Sequence, residues 1–158
     1  MTIATTIAEE DTVTCLPGRS GSSPWKSTTR IPFAVNGLPP VRHRLMADFV
    51  DHDIAVDARH DAALVLSELV SNALKHARPL DDGSLGLAWG CWDNHLHVQV
   101  TDGGADTEPA VRRPAPDSTG GRGLSIVRAV STAWGVEHDV ASTTVWASLR
   151  APAGSVDG

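Results

Sequence analysis

Residues 95–101 alternate strictly. Leu96, Val98 and Val100 fall on one side, and His95, His97 and Gln99 on the other. A period of two is the signature of a strand with one buried face. Residues 84–92 form a second strand, and the intervening Asp93-Asn94 suits a two-residue hairpin turn. Upstream, the period changes to that of a helix. Leu38-Pro39-Pro40 opens one helix, in which Leu38, Val41, Leu45 and Phe49 recur at helical spacing. Asp57 is expected to N-cap a second helix that runs to about His76. Its apolar face is Ala62, Leu66, Leu69, Val70, Ala73 and Ala77; Asp61, Glu68, Asn72 and Lys75 are expected on the opposite stripe. Pro79 and Asp82-Gly83 close that helix. A third helix is expected from Gly123 to about Ala133, with Leu124, Val127 and Val130 inward. Further strands are expected at 30–35, 134–140 and 143–150, the first of them at an edge because of Pro32.

The chain has 158 residues, 41% apolar and 20% charged, which suits one globular domain with a real core. The expected organisation is a disordered tail over 1–29, a domain over 30–150 and a polar tail over 151–158. No apolar run approaches the ~20 residues of a membrane span. Met1–Glu10 lacks the basic and apolar regions of a secretory signal, so a cytoplasmic protein with no membrane association is expected. The formal net charge of −6 argues against a nucleic-acid binder, which usually shows a basic face. Cys15 and Cys91 form no C-x-x-C pair, and so suggest neither a zinc site nor a disulfide scaffold.

Three short stretches can carry chemistry. In Glu68-Leu-Val-Ser-Asn72, the acid and the amide stand at i and i+4, one helical turn apart on one face. A carboxylate can act as a general base, and an amide oxygen is a hard ligand suited to Mg²⁺. Asp102-Gly103-Gly104 follows a strand; its carboxylate can accept from an exocyclic amine, and its glycines let backbone approach a ring. Gly120-Gly121-Arg122-Gly123-Leu124 opens a helix, whose free N–H groups suit an anion. Taken singly, these stretches also read as a solvated helix face, an ordinary turn and a structural helix start. Residues 102–121 form a loop long enough to be a lid or a disordered segment.

In their order and spacing these stretches resemble the boxes of the histidine-kinase-type ATPase superfamily, the Bergerat ATP-binding fold shared with gyrase B and MutL. Glu68-Leu-Val-Ser-Asn72-Ala resembles the N box, Asp102-Gly103-Gly104 the first glycine box, and Gly121-Arg122-Gly123-Leu124 the second. The resemblance covers residues 30 to 150. Within the superfamily the sequence is most similar to stand-alone anti-sigma-factor kinases, through Ser67-Glu68-Leu-Val-Ser-Asn72-Ala, Trp134-Gly135-Val136 and Thr144-Val145-Trp146. No phosphoacceptor-histidine helix pair precedes the N box, which disfavours a sensor histidine kinase.

The resemblance implies an α/β two-layer sandwich: a mixed, mostly antiparallel sheet with helices on one face. It implies ATP and Mg²⁺ as cofactors, with Asn72 on the metal and Glu68 as the base that activates an acceptor hydroxyl. Asp102 would hold the adenine amine, with Gly104 beneath the ring. Gly121, Gly123 and Leu124 would offer N–H groups to the phosphates, with Arg122 in the same stretch. Lys75 or His76 would add positive charge. Residues 105–120 would be an ATP lid, from which Arg112 or Arg113 touches the γ-phosphate. Thr144 is taken as a further nucleotide contact, although relatives often use the threonine of the turn before the last strand, here Ala141-Ser142-Thr143. The implied activity is a serine/threonine kinase and anti-sigma factor. Its partners would be a sigma factor and an anti-sigma-factor antagonist, and it would form a homodimer through the first strand and first helix. The rival reading is a non-catalytic module that senses ATP versus ADP. His95 and His97 are read as a solvated strand face, Asp51-His52-Asp53 as a helix end, and Trp89, Trp92, Trp134 and Trp146 as sheet packing.

Overall fold

The computed structural model describes residues 24–104 and 121–151, and for residues 121–123 the backbone alone. Residues 1–23, 105–120 and 152–158 lie outside the described residues, and with them the expected tails, the lid, Arg112 and Arg113.

The elements follow the order β1 (Trp25–Pro32), a 3₁₀ turn (Val35–Gly37), α1 (Leu38–Asp51), α2 (Val56–His76), β2 (Ser84–Trp92), β3 (His95–Asp102), α3 (Gly121–Val130), β4 (Ala133–His138) and β5 (Thr143–Arg150). β1 starts five residues before the expected strand, and Val35 belongs to the 3₁₀ turn instead. β1 is indeed an edge. The sheet order is β1-β2-β3-β5-β4. Every pair is antiparallel, so the sheet is not mixed. The cause is topological. α3 carries the chain from β3 to β4, which run the same way, but β5 returns between them and pairs with both.

The β2–β3 hairpin closes at Asp93 and Asn94, with φ 52° and 59°. Positive φ at both turn residues matches the right-handed twist of the strands. Core packing falls on one sheet face. There Leu85, Leu87 and Trp89 of β2 meet Leu96, Val98 and Val100 of β3 and Val145, Ala147 and Leu149 of β5. α1 contributes Val41, Leu45 and Phe49 at i, i+4, i+8, and α3 contributes Val127. α2 lies between α1 and α3 and packs on β3.

The N-cap of α2 is Ala55, with no side-chain cap. Asp57 sits inside the first turn, where its charge favours the helix dipole. Among the described residues, no helix is long and apolar enough to cross a membrane.

The sheet face away from the helices is not a plain solvated surface. His97 stacks on Trp92 with ring centroids 3.6 Å apart and 3° between planes. Its Nδ1 lies 2.9 Å from Ser148 Oγ. Desolvation pushes the His97 imidazole down to about 4. The solvated reading of this histidine is therefore corrected: alternation reports which face a residue is on, and Trp92 covers this part of that face. No group of three metal-binding side chains occurs among the described residues. Asp51-His52-Asp53 is a helix end as expected, with His52 as the C-cap and Asp53 at φ 55°.

Candidate nucleotide site

Glu68 and Asn72 share one side of α2, but that side is not opposite the core. Both are half-buried. At ~100° per residue, Asn72 projects next to buried Val65. The pair therefore flanks the core stripe, on the side away from buried Ala63 and Val70. Lys75 and His76 occupy the last turn, exposed, where the helix dipole favours positive charge.

The end of α2 is tied to the end of β3. The Arg78 N–H donates to Gly104 O at 2.9 Å, and the Gly103 N–H donates to Arg78 O at 2.8 Å. A Cβ on Gly103 would lie 2.1 Å from Pro79 O, so only glycine allows this approach. Gly104 has φ +93°, a region that side chains rarely adopt. These two bonds hold the last turns of α2 against Asp102.

Asp102 is 5% exposed. Its Oδ1 accepts the Gly104 N–H at 2.7 Å. Burial raises its carboxyl above the ordinary range; the Gly104 bond and the charge of His138 act the other way. A buried carboxylate with one oxygen engaged keeps acceptor capacity on the other. Such a group is suited to an amine donor.

Across the sheet, Asp102 is paired with Thr143, on the helix-facing side. Thr143 is buried, and its Oγ1 lies 3.8 Å from where a Cβ on Gly104 would be. Thr144, the other candidate, is placed differently. It faces the other side of the sheet, where its Oγ1 is 2.8 Å from Thr101 Oγ1. Strand alternation decides this: Thr143 and Thr144 are neighbours in sequence and must point to opposite faces. The register sets Thr143 beside Asp102.

α3 begins at Gly121, two residues before the expected Gly123. It runs antiparallel to α2 and packs beside it, so its first turn lies at the Asp102 end of the sheet. Leu124 is half-buried in that turn. The free N–H groups of a helix start form an anion site. Glu68, Asn72, Asp102, Gly104, Thr143 and the start of α3 thus belong to one end of the molecule.

The family model described as a histidine kinase-like ATPase domain matches residues 31–149. The chain belongs to that family. Membership implies nucleotide binding. Among solved structures, the chain resembles one holding the RsbU and RsbW domains of Rv1364c from Mycobacterium tuberculosis. The likeness has a TM-score of 0.59 and 21% identity, and covers 82% of this chain and 34% of that one. It bears on the fold, an α/β sandwich, and this chain spans about a third of that structure's length. No curated protein matches the sequence.

The residues fit a nucleotide-bound Mg²⁺. That ion keeps several waters and takes one or two protein oxygens beside the phosphates, rather than a closed protein cage. The amide oxygen of Asn72, half-buried on the flank of α2, is a ligand of that kind.

Proposed function

We propose that this domain is a cytoplasmic ATP-dependent serine/threonine kinase that doubles as an anti-sigma factor. The observation that carries the reading is the Glu68–Asn72 pair, half-buried on the flank of α2, the helix followed by Arg78, which is bonded to Gly103 and Gly104. Asp102 accepts the adenine amine, and Gly104 lies beneath the ring. The N–H groups at Gly121, Gly123 and Leu124 hold phosphate oxygens, with Lys75 or His76 adding positive charge. Asn72 would hold Mg²⁺, and the ion would supply charge neutralisation for the phosphates.

Glu68 then takes the proton from a serine or threonine hydroxyl. The hydroxyl oxygen forms a bond to the γ-phosphorus, the bond from that phosphorus to the bridging oxygen breaks, and ADP leaves. Such a reaction depends mainly on positioning and charge neutralisation. The acceptor is an anti-sigma-factor antagonist, and its phosphorylation leaves this chain free to hold a sigma factor. The resemblance of the sequence to anti-sigma-factor kinases supports these partners. A second copy pairs through β1 and α1. In support, β1 is an edge strand of the sheet among the described residues, and Val50 on α1 is 51% exposed.

The test is Glu68→Ala, assayed for ATP binding and for transfer to an antagonist. Retained binding with transfer reduced about 10²-fold or more is expected for loss of a general base. Partner control that is unchanged in Glu68→Ala, or a wild-type chain that binds ATP and controls its partner without transfer, favours the nucleotide-sensing module.

A further inference from the structure

The sheet face away from the helices carries a row across all five strands: Thr28, Ala88, Gln99, Trp146 and Gly135. The described helices pack on the opposite face, so a wet row is expected here. Instead Ala88 is 4% exposed and Gln99 8%, and in the neighbouring positions Trp92 and Ser148 are buried too. Gln99 Oε1 and Trp146 Nε1 are both buried, and neither has a hydrogen-bond partner among the described residues. Such atoms have lost their water and are rarely left unanswered. An acceptor and a donor thus stand on adjacent paired positions of β3 and β5. Beside them the outer side of β2 is low, with Gly86, Ala88 and Gly90.

We propose that this outer face is a docking surface for the chain's own residues 1–23, which lie on it as an extended segment. An extended chain presents the N–H and the C=O of one residue on the same edge. That pair answers both orphaned atoms together: the N–H donates to Gln99 Oε1, and the C=O accepts from the Trp146 indole. A carboxylate or an ammonium group would answer only one of them. The inference is independent of the nucleotide reading. It departs from the disordered tail that the composition of this segment suggests.

The start of β1 points to this occupant. A Cβ on Gly90 would project to the outer face, where it would lie 2.3 Å from Trp25 O and 3.1 Å from Lys26 Cα. The backbone entering β1 is therefore raised over the outer side of β2, which directs the preceding chain to that side. From β1 to β5 is three strand spacings, about 14 Å, which about five extended residues span. Residues 1–23 exceed that length several times over. Their chemistry also fits. Ile3, Ile7, Val13 and Leu16 suit the apolar surface of Ala88 and the indole rings. Glu9, Glu10 and Asp11 outnumber Arg19 in the segment, whereas alternation puts Lys26, Arg30 and Arg150 on the face with Glu137.

The experiment uses the full chain with a nitroxide on Cys15; Cys91 is buried in the core and protected from the label. The reporters are the indole N–H signals of the five tryptophans in an NMR spectrum. Trp92 and Trp146 lie on the outer face, whereas Trp89 and Trp134 face the helices. The nitroxide should weaken the Trp92 and Trp146 signals selectively. A second label site, Thr6→Cys in a Cys15→Ser chain, should show the same selectivity. Val13→Asp with Leu16→Asp, two changes that touch no residue of the sheet, should abolish it. No loss, a loss shared evenly by all five signals, or selectivity that survives the double variant overturns the inference. So does a selective loss that persists when the nitroxide and the observed indoles are on different chains, which gives the face to a second copy.

Discussion

Asp102 shows how one buried carboxylate trades stability for recognition. Its raised folded value means that the fold favours the protonated form. That stabilisation is full below the ordinary value of 3.8 and is lost as pH rises through the raised one. At neutral pH the charged group is therefore a burden on the empty protein. Asp102→Asn removes the burden and keeps an oxygen for the Gly104 N–H. Its thermal midpoint without nucleotide should be no lower than wild type. Its ATP affinity should drop about 10²-fold or more, because an amide nitrogen then faces the adenine amine. Calorimetry of the variant with and without ATP checks both halves. His97 is the opposite case. Its folded value of about 4 lies below the ordinary 6.5, so the native ring stays neutral while the unfolded ring takes a proton. Its contribution is present above about 6.5 and is lost as pH falls toward 4. At about pH 5 the loss amounts to at most about 2 kcal/mol. His97→Phe keeps an aromatic ring against Trp92 and removes the proton. Urea unfolding at about pH 7 and about pH 5 should show a smaller acid loss in the variant than in wild type.

Among the elements, the join between α2 and β3 has the most leverage over the site. Gly103→Ala would place a methyl group 2.1 Å from Pro79 O, inside contact distance of rigid backbone. The pairing of Arg78 with Gly103 and Gly104 must then open. A cost of about 1–3 kcal/mol is expected for such overpacking. ATP affinity should fall with it, since Asp102 and the end of α2 lose their common anchor. Chemical denaturation with a parallel ATP titration separates the two effects. If stability drops while affinity stays, the join does not hold the site. This join also marks where sequence reading reaches its limit. The helices, the hairpin and most core positions were legible, because periods of 3.6 and 2 report burial directly. Val41, Leu45, Phe49, Leu96, Val98 and Val100 are examples. The relative placement of Thr143 and Thr144 needed the β3–β5 register, and a register is a long-range pairing that neither strand contains alone. The flank position of Glu68 and Asn72 likewise depends on α3 packing beside α2, so a helical wheel drawn without neighbours placed them too far from the core.

For the whole molecule, ligand binding and folding are linked, because the site is assembled from segments far apart in the sequence. Asn72 belongs to a helix, Asp102 and Thr143 to strands 41 residues apart in number, and the start of α3 to a segment between them. None of these groups meets in an unfolded chain. A nucleotide that needs them all binds the native state alone, and at about 100 times its dissociation constant it stabilises the fold by about 2.7 kcal/mol. In a domain of this size, each kcal/mol raises the thermal midpoint by about 2–4 °C. Saturating Mg·ATP should therefore raise the wild-type midpoint by several degrees. Asn72→Ala should lose the part of the rise that depends on Mg²⁺ and keep the part seen with ATP and a chelator. Asp102→Asn should lose both. The rise tracks binding and not transfer, so Glu68→Ala should keep all of it. Should wild type show no shift at millimolar nucleotide with Mg²⁺, the domain has kept the fold of an ATPase without its ligand. Its partners would then be recognised by its surface alone.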